Sequence, residues 1–524
     1  MLIKNGTIVD GTLRKAFQGD ILIRDGLIQA VERGIVVDDP LVIDATAKIV
    51  APGFIDTHSH SDLRLLTDGK MEAKVRQGIT TELIGQDGIS MAPLPLRYID
   101  SWRKNIAGLN GESAAINWEY ETTAGYLQEL AKRPLQTNIG YLAPHGNLRM
   151  EALGLANRKA TAAELNRMTA ILERELAGGA LGLSTGLIYI PCAYGDTAEL
   201  IALCKVVAAA GKIFVVHQRS EADAILESMD EVLRIGRETG VKVHFSHFKV
   251  CGKKNWRHFE AVLRKLDQAR DEGLAISFDQ YPYLAGSTML SVILPPWAHD
   301  GGTDRLLERL ADPLQRRRMI RDIEQGSAGW DNFIDFAGCE GIYVTSVKTP
   351  QNAIAVGKNL MEIGKLRNQP PLEAALDLLL EEANAVGMVD FYGTEEHLIQ
   401  ILQRSEQNVC TDGLLSGKPH PRVYGAFPRF IHQYVKQQPV LSLEEAIYKM
   451  TFKPAQTFAL AQRGAVLAGY HGDVTVFDLE RIRDVGTYQE PEQFPLGIEK
   501  VIVNGGLVYD GQTVTAGGKG QIIR

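Results

Sequence analysis

Residues 51–62 read Ala-Pro-Gly-Phe-Ile-Asp-Thr-His-Ser-His-Ser-Asp, a short apolar run that ends in two histidines one residue apart. In a β-strand, side chains at positions i and i+2 lie on the same face, so His58 and His60 can point toward one common atom. Imidazole is the commonest metal ligand in proteins, so the pair can supply half of a metal site. Taken alone, the fragment fits a polar surface turn better, because histidine pairs with this spacing are common. The rest of the chain therefore has to supply partners for the pair.

The composition excludes several classes of protein. The chain has 524 residues, of which 45% are hydrophobic and 23% charged, with a net charge of −8. This length suffices for a large domain and a smaller one, because single cores stop growing near about 250–300 residues. The acidic balance argues against nucleic acid as a partner. No signal sequence or membrane-spanning apolar run is present, and five cysteines without paired spacing predict reduced thiols, so we expect a cytoplasmic protein with no membrane partner.

Both ends of the chain alternate apolar and polar residues between glycine-containing turns, as short β-strands do. Examples are Asp20-Ile21-Leu22-Ile23 near one end and Val501-Ile502-Val503 near the other, and Asp25-Gly26 is a hairpin signal. Domain termini usually lie close together, and a large insertion between them is tolerated. We therefore expect residues 1–52 and 465–524 to form one small β-sandwich domain.

Between these ends, eight apolar strand-like runs alternate with helical patterns. Thr161 and Glu164 form a capping box before one helix, and Ser442 and Glu445 repeat it before the last helix. Eight parallel-type strands with intervening helices predict an α/β fold, a (β/α)8 TIM-like barrel over residues 53–464, with an open doubly wound sheet as the alternative. The expected strands are Gly53–His58, Ile79–Gly85, Thr137–Ala143, Ala180–Leu187, Lys212–His217, Val241–His247, Ala275–Gln280 and Gln407–Asp412.

One connection, at about residues 288–346, is too long for a plain loop between a strand and a helix. It contains Pro295-Pro296, Gly301-Gly302 and a charged helical pattern. A segment of this length after the seventh strand is usually an active-site lid or a substrate-binding insertion. The alternative is a surface decoration without a role in function.

Histidines and aspartates stand at the carboxyl ends of these strands, where barrels place their chemistry. A lone histidine at a strand end is more often a hydrogen-bonded structural residue, but six such side chains at one rim form a specific pattern. Neutral imidazoles and carboxylates suit Zn²⁺ or a similar divalent ion, and there is no CxxC pattern of a structural zinc site. We therefore predict one or two Zn²⁺ ions per subunit, or another divalent metal, bound by His58, His60, Asp87, His217, His247 and Asp412.

This ligand set predicts hydrolysis of an amide or a related C–N bond. A bound zinc ion lowers the pKa of water to about 7, so hydroxide is available at neutral pH, and it stabilises the oxyanion that forms on the substrate. Asp412 is the predicted catalytic residue, because a carboxylate there can accept the water proton and return it to the leaving nitrogen.

Cationic and hydroxyl groups near the same rim predict a small anionic substrate. Each of them, taken singly, is more often a solvated or structural side chain than a substrate ligand, although an arginine fork binds a carboxylate well. The candidate substrate-binding residues are Arg149, Lys249, Tyr281, Ser287 and Arg422.

From end to end, the chain resembles the N-acyl-D-amino-acid deacylases (D-aminoacylases) of the amidohydrolase superfamily. The resemblance implies a barrel with a small β-sandwich, zinc dependence, and hydrolysis of N-acyl-D-amino acids to a carboxylate and a free D-amino acid. It also implies that Lys249, Tyr281 and either Arg149 or Arg422 hold the substrate carboxylate, and that Thr288–Ser346 is a lid. The matching motifs are Pro52–His60, His145-Gly146-Asn147-Leu148-Arg149, Ser246-His247-Phe248-Lys249, Asp279-Gln280-Tyr281-Pro282-Tyr283, Thr411-Asp412-Gly413 and His420-Pro421-Arg422.

The sequence departs from that family after the second strand. Well-known D-aminoacylases have a zinc-ligating cysteine in a Gly-Asn-Cys-Gly stretch, where this chain has Gly85-Gln86-Asp87-Gly88. A carboxylate is a harder ligand than a thiolate and can bridge two ions. We expect Asp87 to bind metal still, with metal identity, number and affinity open to change.

Two rival functions fit the same fold. A cyclic-amide hydrolase of the same superfamily, such as a dihydropyrimidinase or dihydroorotase, commonly uses a carbamylated lysine of the fourth strand, and Ala180–Leu187 contains none. A non-catalytic scaffold would usually have lost ligand residues, whereas each expected position here holds one. The substrate side chain, the acyl group, the preference for D over L isomers and a homo-oligomeric state remain open from the residues alone.

Overall fold

The computed structural model describes residues 1–38, 41–113, 115–326 and 329–524. Its strands form a sheet of the two chain ends, a barrel, and a small antiparallel sheet inserted in the barrel. In chain order the strands are β1 (Leu2–Ile8), β2 (Phe17–Arg24), β3 (Leu27–Glu32), β4 (Val42–Asp44), β5 (Ile49–Pro52), β6 (Phe54–Asp56), β7 (Ile79–Ile84), β8 (Asn138–Tyr141), β9 (Ala143–Pro144), β10 (Gly182–Gly186), β11 (Ile213–His217), β12 (Lys242–Phe245), β13 (Ile276–Gln280), β14 (Ala285–Met289), β15 (Ile342–Ser346), β16 (Gly387–Phe391), β17 (Gln407–Val409), β18 (Val474–Phe477), β19 (Ile498–Val503) and β20 (Gly506–Tyr509).

The helices lie mostly between the barrel strands and in the insertion. Among the described residues, no helix combines the length and the apolar character needed to cross a bilayer. The α-helices are α1 (Arg64–Thr67), α2 (Glu72–Val75), α3 (Ile99–Asn110), α4 (Thr123–Ala131), α5 (His145–Leu153), α6 (Ala162–Ala177), α7 (Thr197–Ala209), α8 (Ile225–Thr239), α9 (Phe259–Asp271), α10 (Thr303–Ala311), α11 (Pro313–Gln325), α12 (Phe333–Ala337), α13 (Leu360–Arg367), α14 (Pro371–Glu381), α15 (Glu395–Gln403), α16 (Arg422–Ile431), α17 (Leu443–Met450) and α18 (Phe452–Thr457). Short 3₁₀ helices occur at Gln86–Gly88, Leu96–Tyr98, Cys192–Tyr194, Trp256–His258, Leu290–Ile293, Pro296–His299 and Pro350–Ala355, and a π-helical turn at His432–Gln437.

The eight predicted barrel strands are all present and pair in parallel. Strands β6, β7 and β8 form one arc, and β9 to β13 with β17 form the other. The third predicted strand is split at Leu142, so that β8 leads directly into β9. The ring closes between β17 and β6, where the Asp412 N–H donates to the His58 carbonyl at 2.8 Å. The predicted (β/α)8 barrel is therefore confirmed, and the open-sheet alternative is wrong.

The helices pack on the barrel as their apolar spacing predicts. Both capping boxes form: Thr161 accepts from the Glu164 N–H, and Ser442 accepts from the Glu445 N–H. The apolar face of α6 buries Met168 and Leu172 against the outer face of the barrel. Burial of one such side chain stabilises the fold by about 1.5–3 kcal/mol.

The two chain ends meet in one sheet of eight strands. Its order is β20-β19-β18-β5-β1-β2-β3, and β4 also pairs with β1. The predicted hairpin forms at Asp25 and Gly26, whose φ values of 51° and 79° are those of a primed turn. Isoleucines and valines from both ends share one apolar core, so neither end can bury its strands alone.

The insertion is longer than the sequence predicts. It begins at β14, and its closing strand β16 pairs antiparallel with both β14 and β15. The segment therefore returns to the barrel only after Phe391, not near Ser346. The prediction ended the insertion at about residue 346, but β15 is the edge strand of a three-stranded sheet whose central strand, β16, lies about 40 residues further along the chain.

A buried lysine ties the first and last barrel strands together. Lys74 of α2 is fully buried, and its Nζ lies 2.7 Å from Asp56 Oδ2. The same ammonium donates to the Thr411 hydroxyl at 2.6 Å and the Ser59 hydroxyl at 2.9 Å. Asp56 and Thr411 stand immediately before the segments that carry His58 and Asp412.

We expect Lys74→Met to lower the free energy of unfolding by about 3–5 kcal/mol, because the Asp56 carboxylate stays buried without its cation. Denaturant unfolding followed by circular dichroism measures this change. Lys70→Met, at an exposed lysine of the same loop, is the matched control and should change stability by no more than about 0.5 kcal/mol. Equal stability of the two variants would contradict the role given to Lys74.

Candidate active site

The six predicted metal ligands lie together at the carboxyl ends of the barrel strands. They come from five barrel strands, and each is more than nine-tenths buried. His58 and His60 follow β6, Asp87 lies in the turn after β7, His217 ends β11, His247 follows β12, and Asp412 follows β17.

The backbone bends sharply at three of these residues. Asp87, His247 and Asp412 have φ values of 56°, 34° and 46°, in the left-handed region that side chains other than glycine rarely adopt. Each such residue costs about 1–3 kcal/mol and persists where the surrounding structure enforces it. Gly88, next to Asp87, has no room for a side chain, because a Cβ there would lie 2.7 Å from Cys192 Sγ.

His58, His60, Asp87 and Asp412 form the first half of the cluster. The two histidine Nε2 atoms are 3.3 Å apart. Asp412 Oδ1 lies 3.4 Å from His60 Nε2 and 3.7 Å from His58 Nε2, and Asp87 Oδ2 lies 3.5 and 3.7 Å from the same atoms. Ligand atoms about 2.0–2.1 Å from a tetrahedral zinc ion stand about 3.3 Å apart, so the spacing suits one ion.

His217 and His247 form the second half. His217 Nδ1 and His247 Nε2 are 2.9 Å apart, and Asp87 Oδ1 lies 3.9 Å from His247 Nε2. Asp87 therefore lies between the two halves, with one carboxylate oxygen toward each. Glu221 Oε1 lies 3.1 Å from His247 Nδ1, so this carboxylate can hold the ring with Nε2 free to bind metal.

The donors fit a divalent cation. Asp87 Oδ1 is a buried acceptor that has no hydrogen-bond partner among the described residues. Four imidazoles and two carboxylates converge. Two cations of the described chain touch them: Arg422 contacts the far oxygen of Asp412, Oδ2, at 2.9 Å, and Lys249 Nζ lies 2.8 Å from His247 Nδ1, the ring nitrogen that does not face the other ligands. Burying two carboxylates costs free energy that a bound cation would offset. Oxygen and nitrogen donors of this kind suit Zn²⁺.

Asp279 supports this cluster from beneath. Its carboxylate accepts the His247 N–H at 2.6 Å, His244 Nε2 at 2.9 Å and the Thr57 hydroxyl at 3.0 Å. Burial alone would raise the pKa of Asp279, but the hydrogen bond and charge of His244 lower it to about 2. The carboxylate therefore stays ionised and fixes the sharp turn at His247.

A cavity opens beside the cluster and is lined by three of the five predicted substrate-binding side chains. Lys249, Tyr281 and Ser287 line it directly, together with Asp412. Arg422 lies behind Tyr281, with its guanidinium carbon 4.3 Å from the centre of that ring. Lys249 Nζ is paired with Glu221 at 2.6 Å. Burial alone would lower the pKa of Lys249, but the charge of Glu221 outweighs burial and raises the pKa above its ordinary value.

Comparison with known proteins identifies the family. A model described as "Amidohydrolase family" matches residues 41–293 and 399–509. A D-aminoacylase of Alcaligenes xylosoxydans xylosoxydans is 31% identical over 100% of this chain and 97% of its own length. An N-acyl-D-aspartate deacylase of the same organism is 33% identical over 100% of this chain and 94% of its own. The chain belongs to the D-aminoacylase family of amidohydrolases.

Solved structures of D-aminoacylase-family members agree. The N-acyl-D-glutamate deacylase of Bordetella bronchiseptica, crystallised with zinc and a phosphonate mimic of the tetrahedral intermediate, superposes with a TM-score of 0.84 at 32% identity, covering 100% of this chain and 99% of that one. A D-hydantoinase reaches a TM-score of 0.53 at 16% identity, covering 100% of this chain and 98% of the other, which shows the shared fold alone. The predicted family, the fold and the enzyme class, a hydrolase of linear amides, are confirmed.

The structure does not bring Arg149 to the cavity, and this prediction is corrected. Helix α5 begins directly after β9, and Arg149, one turn along it, is fully buried. Its guanidinium pairs with Glu199 of α7 and donates to the Arg158 carbonyl at 2.9 Å. His145 Nε2 lies 2.7 Å from the same Glu199, so both side chains serve the packing of α5 against α7.

Several residues of the cavity wall were not predicted from the sequence, among them Glu221, Asp390 and Tyr392. Glu221 carried a signal, because an acid stands four residues after the strand-end His217. Asp390 and Tyr392 carried none, since the insertion that brings them to the barrel rim was expected to end at Ser346.

We expect Asp87→Ala to weaken metal binding about tenfold or more, because Asp87 faces both halves of the cluster. Metal content per subunit, measured by plasma mass spectrometry after dialysis against defined free zinc, gives the result. Asp271→Ala, at an exposed aspartate of α9, is the matched control. Metal content equal to that of the control would refute Asp87 as a ligand.

Proposed function

We propose that this protein hydrolyses N-acyl-D-amino acids to a carboxylic acid and a free D-amino acid. The observation that carries the proposal is the buried cluster of four histidines and two aspartates at the barrel rim, in a chain 31–33% identical to deacylases of these compounds. The D configuration is supported by the names of those relatives, and the residues themselves do not encode it.

We propose that one or two divalent ions, with zinc the first candidate, are held by His58, His60, Asp87, His217, His247 and Asp412. When bound there, such an ion lowers the pKa of a water molecule and polarises the substrate carbonyl. Asp87 would help to hold the metal from between the two histidine groups, because one of its oxygens faces each group.

Asp412 is placed to move the proton of the reaction. Burial alone would raise its pKa, but the charge of Arg422, and then that of His58, holds the pKa below its ordinary value. The ionised carboxylate accepts a proton from the attacking water as the new C–O bond forms. It returns that proton to the amide nitrogen as the C–N bond breaks, so a carboxylate and an amine leave.

Arg422 is the arginine best placed to hold the substrate's α-carboxylate. Its Nε and Nη1 are buried and have no hydrogen-bond partner among the described residues, while Nη2 contacts Asp412. A buried guanidinium with donors left unused can bind an oxygen of an anionic substrate group. Lys249, Tyr281 and Ser287 complete the set that we assign to the substrate, and Arg149 is left out of it.

Two rivals are less well supported. A cyclic-amide hydrolase that uses a carbamylated lysine lacks that residue here, since β10 reads Gly-Leu-Ser-Thr-Gly. A non-catalytic scaffold has no need of three strained, buried ligand positions. A lid role for the insertion, a cytoplasmic location and a small-molecule rather than nucleic-acid partner remain predictions.

A screen of N-acetyl-D- and N-acetyl-L-amino acids with added Zn²⁺ and with chelator tests the proposal. We expect metal-dependent release of D-amino acids, which a coupled D-amino-acid oxidase assay measures. Dihydropyrimidine and dihydroorotate are included as cyclic amides. Turnover confined to the cyclic amides or to L isomers would overturn the proposal.

We expect Asp412→Asn to lower kcat about 10²–10⁴-fold, because the amide cannot take the water proton. Metal content is measured in the same sample, so that a loss of metal is distinguished from a loss of the base. Asp267→Asn, at a half-exposed aspartate of α9, serves as control. A kcat within tenfold of the control would show that Asp412 is not the base.

A further inference from the structure

The insertion supplies part of the cavity wall beside the metal cluster. Asp331, Phe333 and Phe336 come from α12 and the turn before it, and Asp390 comes from β16. None of these residues falls within the parts of the chain that match the family model, which leaves out residues 294–398. The metal ligands all fall within the matched parts, so this wall lies in a segment that the family model does not describe.

Asp390 is a buried carboxyl without a partner. It is 3% exposed, lines the cavity, and its carboxylate makes no hydrogen bond or ion pair with another described residue. It stands opposite Gly286 in the β14–β16 ladder, and a Cβ on that glycine would lie 2.9 Å from Asp390 Oδ1. The glycine therefore leaves the space that the carboxyl occupies.

The cations near Asp390 are already paired with other acids. Lys249 is bound by Glu221 at 2.6 Å, and Arg422 by Asp412 at 2.9 Å. Asp331 is the second acid of this wall, and it accepts the Ser220 hydroxyl at 2.6 Å and the Glu221 N–H at 2.7 Å, with no cation. Burial raises the pKa of both Asp331 and Asp390 to about 7, and for Asp390 it outweighs the charges of Lys249 and Arg422, which lower the pKa.

Aromatic rings accompany the two acids. The rings of Phe333 and Phe336 are 4.8 Å apart, and Tyr392 lies on the same cavity. Aromatic faces beside carboxylates attract organic cations and exclude anions, because ring faces carry negative electrostatic potential. A side-chain carboxylate placed between Asp331 and Asp390 would meet two acids.

We propose that Asp390, assisted by Asp331 and the Phe333, Phe336 and Tyr392 rings, forms a subsite for a positively charged substrate side chain. The substrates are then N-acyl-D-amino acids that bear a guanidinium or an ammonium group, such as the D-arginine and D-lysine derivatives. This inference rests on the proposed deacylase function. The α-carboxylate is the anionic end of the substrate, and the cationic side chain supplies the counter-charge for the Asp390 carboxylate.

Matched substrates test the subsite in the wild-type enzyme. N-acetyl-D-arginine and N-acetyl-D-citrulline have almost the same shape and differ in charge, and N-acetyl-D-glutamate carries the opposite charge. We expect kcat/KM for the arginine compound to exceed that for citrulline about tenfold or more, and glutamate to be the poorest of the three. The preference should appear mainly in KM, since a side-chain contact binds ground and transition states alike.

Asp390→Asn tests the residue itself. We expect the arginine-to-citrulline ratio of kcat/KM to fall about tenfold, toward unity, because the amide keeps the size of the side chain and removes its charge. Asp335→Asn is the matched control, an exposed aspartate of α12 that is paired with Lys254 and lies outside this cavity. The control should keep the wild-type ratio.

The outcomes separate this inference from the function on which it rests. Faster hydrolysis of N-acetyl-D-glutamate or N-acetyl-D-citrulline than of N-acetyl-D-arginine would overturn the subsite and leave the deacylase in place. An arginine preference that Asp390→Asn does not reduce would overturn the role of Asp390. Hydrolysis of none of the three, nor of N-acetyl-D-methionine, would overturn both proposals.

Discussion

The contact between Lys74 and Asp56 is the interaction on which the site depends most. It joins the strand before His58 to the strand before Asp412, through a fully buried ammonium that also reaches Thr411 and Ser59. A barrel must close between its first and last strands, and here the closing seam is also where two of the cluster's segments meet. Because a buried ion pair is directional, it fixes the relative height of the two strands in a way that apolar packing alone does not.

Buried hydrogen bonds around the cluster explain why strained backbone is tolerated at three of its ligand residues. Asp87, His247 and Asp412 each leave their strand through a left-handed turn, which a flexible loop would relax. Buried hydrogen bonds hold the turns in place: Asp279 binds the His247 N–H, and the Asp412 N–H is bound to the His58 carbonyl. The strained turns direct the ligand side chains toward the middle of the rim. They lower the free energy of unfolding, but the donors are in position before any substrate binds.

Strand periodicity and strand-end residues were enough to predict the barrel, both capping boxes and the clustering of the six candidate ligands. These features depend on local sequence and on one rule of barrel geometry. Arg149 was misplaced because a helix starts directly after β9 and turns its side chain toward Glu199, a contact 50 residues away. Asp390 could not be found, since its position depends on the pairing of β14 with β16 across about a hundred residues of insertion.

The charges of the cavity divide between the barrel and the insertion. Barrel residues are internally balanced, with Lys249 against Glu221 and Arg422 against Asp412, and the cluster of histidines and aspartates is complete for a divalent ion. The insertion adds Asp331 and Asp390 without adding a cation to the cavity lining. Two buried acids without counter-charges are costly unless a ligand completes them. The barrel carries the metal-binding residues, and the insertion carries the two acids. A family built in this way can change its substrate through the insertion and keep its reaction in the barrel.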